Sequence, residues 1–118
     1  MSGEFTATLQ KSGEIEITAT GRVSGRQITL PVWFSEENGT LYLVPVTGSD
    51  TEWYKNVLAA PSLKITADSK TVTAAATPIT DPGRVGEIVE KFRSKYGADQ
   101  VAAYYPKTDV ALDVSLPD

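Results

Sequence analysis

The sequence has no cysteine, no histidine and one methionine. Without cysteine there is no disulfide and no thiolate nucleophile. Without both residue types there is no zinc site of the usual thiolate or imidazole kind. The lack of histidine also removes the side chain that most often does acid–base work near neutral pH. Carboxylates remain, but none has the spacing of a calcium loop, and no metal is expected. An enzyme of this composition would take its chemistry from a bound cofactor.

A basic excess is missing too. Eleven Lys and Arg stand against 15 Asp and Glu, a net charge of -4. Broad nucleic-acid binding needs a basic face, so no nucleic-acid partner is expected. A local basic pocket for a small anion stays open. No apolar run approaches membrane-spanning length, and Met1-Ser2-Gly3-Glu4-Phe5 has neither a basic nor an apolar leader region. No membrane partner and a cytoplasmic location are the expectations. The 118 residues suit one domain over 1–118, with a core that buries roughly two-thirds of the unfolded surface.

What is present reads mostly as strands. Phe5, Ala7 and Leu9 alternate with polar residues, as do Ile15, Ile17 and Ala19, with Lys11-Ser12-Gly13 as the turn between. Residues 27–35 form a third strand, in which Pro31 implies an edge position or a bulge. Asn38-Gly39 supplies the positive φ angles of a type I′ hairpin, and 41–46 is the return strand. Two further strands, 62–67 and 71–79, flank a Ser69-Lys70 turn, and 110–116 closes the set.

Two helices interrupt them. One spans about 50–60, capped by Ser49 or Asp50 and stopped by Pro61. The other spans about 82–96, with Asp81 as cap, Pro82 in the first turn and Gly97 as stop. Val85, Ile88, Val89, Phe92 and Tyr96 give it an apolar stripe at helical spacing. Seven strands joined mainly by short hairpins predict a mainly β, mostly antiparallel sheet, and closure into a barrel would remove its edges.

Three segments have the makings of a site. Thr20-Gly21-Arg22-Val23-Ser24-Gly25-Arg26 places two of the four arginines beside two glycines. Amides, hydroxyls and guanidinium groups there suit an anion. The segment matches no established phosphate fingerprint, and on spacing alone the commoner reading is a hairpin loop with exposed arginines. Thr47-Gly48-Ser49 leads into a helix N-terminus with free amides, although Asp50 and Glu52 already use that field. Trp53 follows, as a ring wall or as core. Tyr104-Tyr105-Pro106 offers a proton donor, a stacking wall or plain packing.

In order, TGRVSGR, LPVWF, a Gly-Ser turn into WYKNVLAAP, TPITDP and KFRSKYG resemble the deazaflavin-dependent nitroreductase-like family. These proteins are split β-barrels related to the FMN-binding pyridoxamine phosphate oxidases. The resemblance runs from about Ile17 to the C-terminus. It implies an oxidoreductase that passes a hydride from reduced coenzyme F-420 to a small electrophile, a quinone or a nitro compound. It assigns Gly21, Arg22, Ser24, Gly25 and Arg26 to the cofactor's phosphate tail and Pro31 to the ring pocket. Thr47, Gly48, Ser49, Trp53 and Asn56 would flank the cofactor, and Tyr104 and Tyr105 would face the substrate as catalytic residues. It also implies a homodimer. Departures at Val23 and Ile28, where many members are basic, keep FMN as the alternative cofactor. They also keep open a non-catalytic module that binds a planar ligand.

Overall fold

The computed structural model describes residues 8–9 and 13–116. The elements are β1 (Ile15–Thr20), β2 (Gln27–Val32), β3 (Ser35–Glu37), β4 (Thr40–Leu43), a 3-10 turn (Gly48–Asp50) and α1 (Glu52–Ala59). They continue with β5 (Ser62–Ala67), β6 (Lys70–Ile79), α2 (Pro82–Tyr96), α3 (Ala98–Tyr104) and β7 (Ala111–Ser115). Every strand pair is antiparallel, and the order across the sheet is β2-β1-β5-β6-β7-β4-β3.

The two edges, β2 and β3, are neighbours in sequence. Only Trp33 and Phe34 separate Val32 from Ser35. Three Cα steps span at most about 11 Å. The seven-stranded sheet must therefore curl until its edges nearly meet, which makes a half-barrel with a split at Trp33-Phe34. The ten-residue β6 serves both halves: Lys70 to Ala75 pair with β5, and Ala76 to Ile79 pair with β7.

Period-two alternation sorts side chains between two cores. Ile15, Ile17, Leu41, Leu43, Leu63, Ile65, Leu112 and Val114 fill the inside of the curl, closed by Trp53, Tyr54 and Val57 of α1. Tyr42, Val44 and Ala111 point outward against Val85, Ile88, Val89 and Phe92 of α2 and Val101 of α3. This is why Leu41 to Val44 is a continuous apolar run: both of its faces are covered.

Local signals hold where the chemistry is short-range. Asn38 and Gly39 adopt φ of 53° and 82° in the turn between β3 and β4. Pro31 lies on an edge strand. Asp81 caps α2 by accepting from the Arg84 amide at 2.9 Å, and Gly97 ends it at φ 98°.

Other expectations need correction. The strand expected over 27–35 breaks after Val32, because the chain there passes from one sheet edge to the other. The strand expected at the N-terminus is overturned at Thr8 and Leu9, which are helical. Phe5, Ala7, Gln10, Lys11 and Ser12 lie outside the described residues. The β5–β6 turn is Asp68-Ser69, one residue earlier than expected, with φ of 50° and 69°. The α1 cap position falls to Thr51 rather than Ser49 or Asp50, which lie in the preceding 3-10 turn. The helix α3 was not expected at all. With Val101 as its one buried residue, its seven residues carry no readable periodicity.

Candidate functional site

The split produces a cavity. Where β2 and β3 part, a pocket of about 320 Å³ opens, within the range for small-molecule sites. β2 contributes Leu30, Pro31 and Val32, the connection contributes Trp33, and Glu14 stands just before β1. Val44 and Val46 follow β4, Trp53 comes from α1, and Tyr104 and Tyr105 end α3.

One wall is an aromatic cluster. Trp33 stacks on Tyr96 with ring centroids 4.2 Å apart and planes 9° apart. Tyr104 meets Trp33 edge-on at 5.1 Å, and Tyr105 meets Phe92 edge-on at 5.8 Å. Such contacts hold the rings in place. The Tyr96 hydroxyl accepts from the Phe34 amide at 3.1 Å and shares its proton between the Gly13 carbonyl at 2.8 Å and the Phe34 carbonyl at 3.1 Å. It thereby satisfies a backbone that has left the ladder. Burial pushes the Tyr105 phenol far above its ordinary pKa, with Tyr96 adding to the effect. Burial also raises Tyr96, opposed by its bond to Phe34.

The arginine turn packs beside this pocket through α1. Gly21 donates to the Arg26 carbonyl at 2.8 Å, and Gly25, at φ 73°, donates to the Gly21 carbonyl at 2.9 Å. Arg22 is committed to α1: its amide and its Nη1 reach Asn56 Oδ1 at 3.1 and 2.7 Å, and its Nη2 reaches Glu52 Oε1 at 3.0 Å. The hydrogen bond from Arg22, and then its charge, lowers the Glu52 carboxyl pKa. Arg26 differs. Its side chain is exposed and has no hydrogen bond or ion pair among the described residues. Ser24 Oγ accepts from the Arg26 amide at 3.2 Å.

The turn at 47–50 already holds an anion of its own. Asp109 accepts from the Ser49 amide at 2.9 Å and from the Ser49 hydroxyl at 2.6 Å. These bonds lower its pKa, the hydroxyl contributing most. Gly48 sits at φ 60°, and a Cβ there would overlap the Asp109 carboxylate. Thr47 bonds Thr51 through its amide and hydroxyl, both at 2.9 Å. Lys107 reaches Asp50 at 2.9 Å.

The structure thus gathers Pro31, Trp53, Tyr104 and Tyr105 around one cavity. It joins Arg22 to Asn56 within the same α1 contact. Gly21, Arg22, Ser24, Gly25, Arg26, Thr47, Gly48, Ser49 and Asn56 are not among the cavity's lining. Six lining residues escaped the sequence reading: Glu14, Leu30, Val32, Trp33, Val44 and Val46. Trp33 was the most readable of these, a tryptophan two residues after an edge-strand proline. Glu14 carried no signal, because a carboxylate next to a strand normally faces solvent.

The family model for F420H2-dependent quinone reductases matches residues 1–116. An F420H2-dependent reductase (FDR-A) is 27% identical, with a TM-score of 0.68, over 86% of this chain and 93% of that one. A structure described as a domain-swapped dimer is 23% identical, with a TM-score of 0.68, over 96% and 94%. A FAD-binding protein from Mesorhizobium loti shares the fold at 13% identity and a TM-score of 0.64, over 100% and 91%. No curated protein matches the chain.

Proposed function

We propose a residue-level reading for a chain that belongs to the F420H2-dependent quinone reductase family. Membership makes it a deazaflavin-dependent oxidoreductase, and it supports a small electrophilic acceptor, here read as a quinone. The observation that carries the reading further is the aromatic pocket at the split, whose walls suit a planar ring. When bound, the reduced deazaflavin supplies two electrons and one proton as a hydride, and the quinone needs one further proton to become the hydroquinone.

The rest falls to the chain's own residues. Pro31 and Val32 support one side of the ring site, and Trp33 and Trp53 present aromatic surface to it. The indoles and valines exclude water from the reacting faces. Tyr105, its pKa raised by burial, stays a neutral phenol. The hydroxyls of Tyr104 and Tyr105 can hold the acceptor oxygen by a hydrogen bond, and the more exposed Tyr104 is the one placed to exchange the second proton with solvent. The Gly21–Arg26 turn fits an anionic tail through Arg26, whose side chain has no partner among the described residues, and through Gly25. Arg22 serves by fixing that turn to α1. Asp109 takes the Ser49 amide and Thr51 the Thr47 amide, so Thr47, Gly48 and Ser49 serve as scaffold rather than as an anion site.

The test is anaerobic oxidation of reduced coenzyme F-420, followed by absorbance, with menadione as acceptor. Turnover that depends on both reactants supports the reading, and none at saturating protein defeats it. A second reading is a split-barrel module that binds FMN or another planar cofactor without turnover, as the shared fold of the FAD-binding protein suggests. Thermal-shift titrations with coenzyme F-420 and FMN separate the two, because native-state binding raises the midpoint with the logarithm of ligand excess. A homodimer in the cytoplasm completes the proposal. The domain-swapped neighbour supports the dimer, and no helix among the described residues is long and apolar enough to cross a membrane.

A further inference from the structure

We infer that Glu14 is a specificity-determining residue of the pocket, favouring uncharged or cationic planar acceptors and disfavouring anionic ones. The inference rests on the quinone-reductase reading above. Of the ten lining residues, Glu14 is the one with a formal charge; the others are aliphatic, aromatic or phenolic. Its carboxylate makes no hydrogen bond or ion pair with any described residue, so no partner there cancels its field. The backbone holds it at the mouth. Gly13, its neighbour, accepts from the Tyr96 hydroxyl at 2.8 Å, and Ile15, on its other side, is buried in the core.

Glu14 is exposed, so water and salt screen its field in part. The apolar walls on its cavity side screen less than water does. The Tyr96 phenol registers it, since the Glu14 charge helps to raise that pKa. Lys95 neighbours Tyr96 on α2, but its ammonium lies on the Phe34 ring and donates to the Phe34 carbonyl at 3.0 Å. The net charge of -4 adds to the effect. An acceptor bearing a sulfonate or carboxylate therefore meets one like charge that no described residue balances, where a neutral quinone meets none.

The experiment compares kcat/KM for menadione and for a sulfonated naphthoquinone, with reduced coenzyme F-420 saturating, at low and high salt. Using the ratio of the two acceptors cancels any effect of Glu14 on the cofactor. For Glu14→Gln the ratio should shift about three- to tenfold toward the sulfonated compound at low salt. The shift should shrink at high salt. Glu14→Lys should shift it further in the same direction. An unchanged ratio in both variants overturns the inference. If either variant melts early, the unmodified protein decides: its ratio should move toward the sulfonated compound as salt rises, and a flat ratio overturns the inference equally. If the unmodified protein reduces neither quinone, the reductase reading fails instead. The same discrimination is then read from dissociation constants of the two quinones by tryptophan quenching, where equal salt-independent affinities would reject the role of Glu14.

Discussion

Asn56 holds Arg22 twice, accepting from its backbone amide at 3.1 Å and from its guanidinium at 2.7 Å. Asn56 is only 5% exposed. The bond pair ties the turn after β1 to the helix that carries Trp53, so one of the two turn arginines is part of the scaffold. Arg22→Ala should cost about 1–2 kcal/mol in denaturant unfolding, the scale of a lost charge-assisted bond. The exposed ion pair with Glu52 adds little. Arg26→Ala should leave stability within about 0.5 kcal/mol but weaken coenzyme F-420 about tenfold or more. If stability falls for Arg26→Ala and not for Arg22→Ala, the division of roles is reversed.

Tyr96→Phe should be costly despite its small change in shape. The hydroxyl serves the Phe34 amide and two carbonyls at the split. The Phe34 carbonyl keeps Lys95, but leaving the Phe34 amide without this partner costs about 1–3 kcal/mol, read as a lower unfolding midpoint. The Trp33 stack should survive, so near-ultraviolet circular dichroism should change little. A neutral effect on stability would mean that water replaces the hydroxyl fully.

Gly48→Ala faces three obstacles: a φ of 60°, the Asp109 carboxylate where its Cβ would go, and the Lys107 side chain at 2.9 Å. The backbone cost alone is about 1 kcal/mol. In an Asp109→Ala background the carboxylate overlap is gone and only the backbone part and the flexible Lys107 stem remain, so the double-mutant cycle should show clear coupling. Strict additivity would contradict the contact.

Stability should depend on alkaline pH with two opposing slopes. Burial against Phe34 lowers Lys95 to about 8, with Glu36 opposing the shift. Between there and the ordinary lysine range the folded state binds fewer protons than the unfolded one, so stability rises with pH. Tyr96 and Tyr105 are shifted upward. Above the ordinary tyrosine value the folded state keeps protons that the unfolded state releases, and stability falls. Unfolding free energies measured from pH 7 to 11 should therefore climb and then drop, and Lys95→Met should remove the climb. A monotonic fall in the unmodified protein would contradict the Lys95 shift.

Both tryptophans line the cavity, so ring binding should quench both. Trp53→Phe and Trp33→Phe should each keep part of the fluorescence change on titration with coenzyme F-420. Complete loss in either single variant would show that one indole alone borders the ring.

Sequence alone determined what short-range chemistry decides. Asn38-Gly39 specified its turn through φ, Asp81-Pro82 specified a helix start through one side-chain bond and one ring, and alternation in Ile15 to Ala19 specified a strand. The order of motifs from Thr20 to Gly97 was enough to name the family. What it left out were relations between distant residues. Nothing local says that β2 and β3, two residues apart, lie on opposite edges of one sheet, and the pocket exists only because they do. Nothing local says that Arg22 turns toward Asn56 while Arg26 has no side-chain partner among the described residues, or that Asp109, sixty positions on, takes the amide of Ser49. Those outcomes follow from the curl of the sheet. It forms only when several long-range pairings are satisfied together, and it brings side chains into contact regardless of their spacing along the chain.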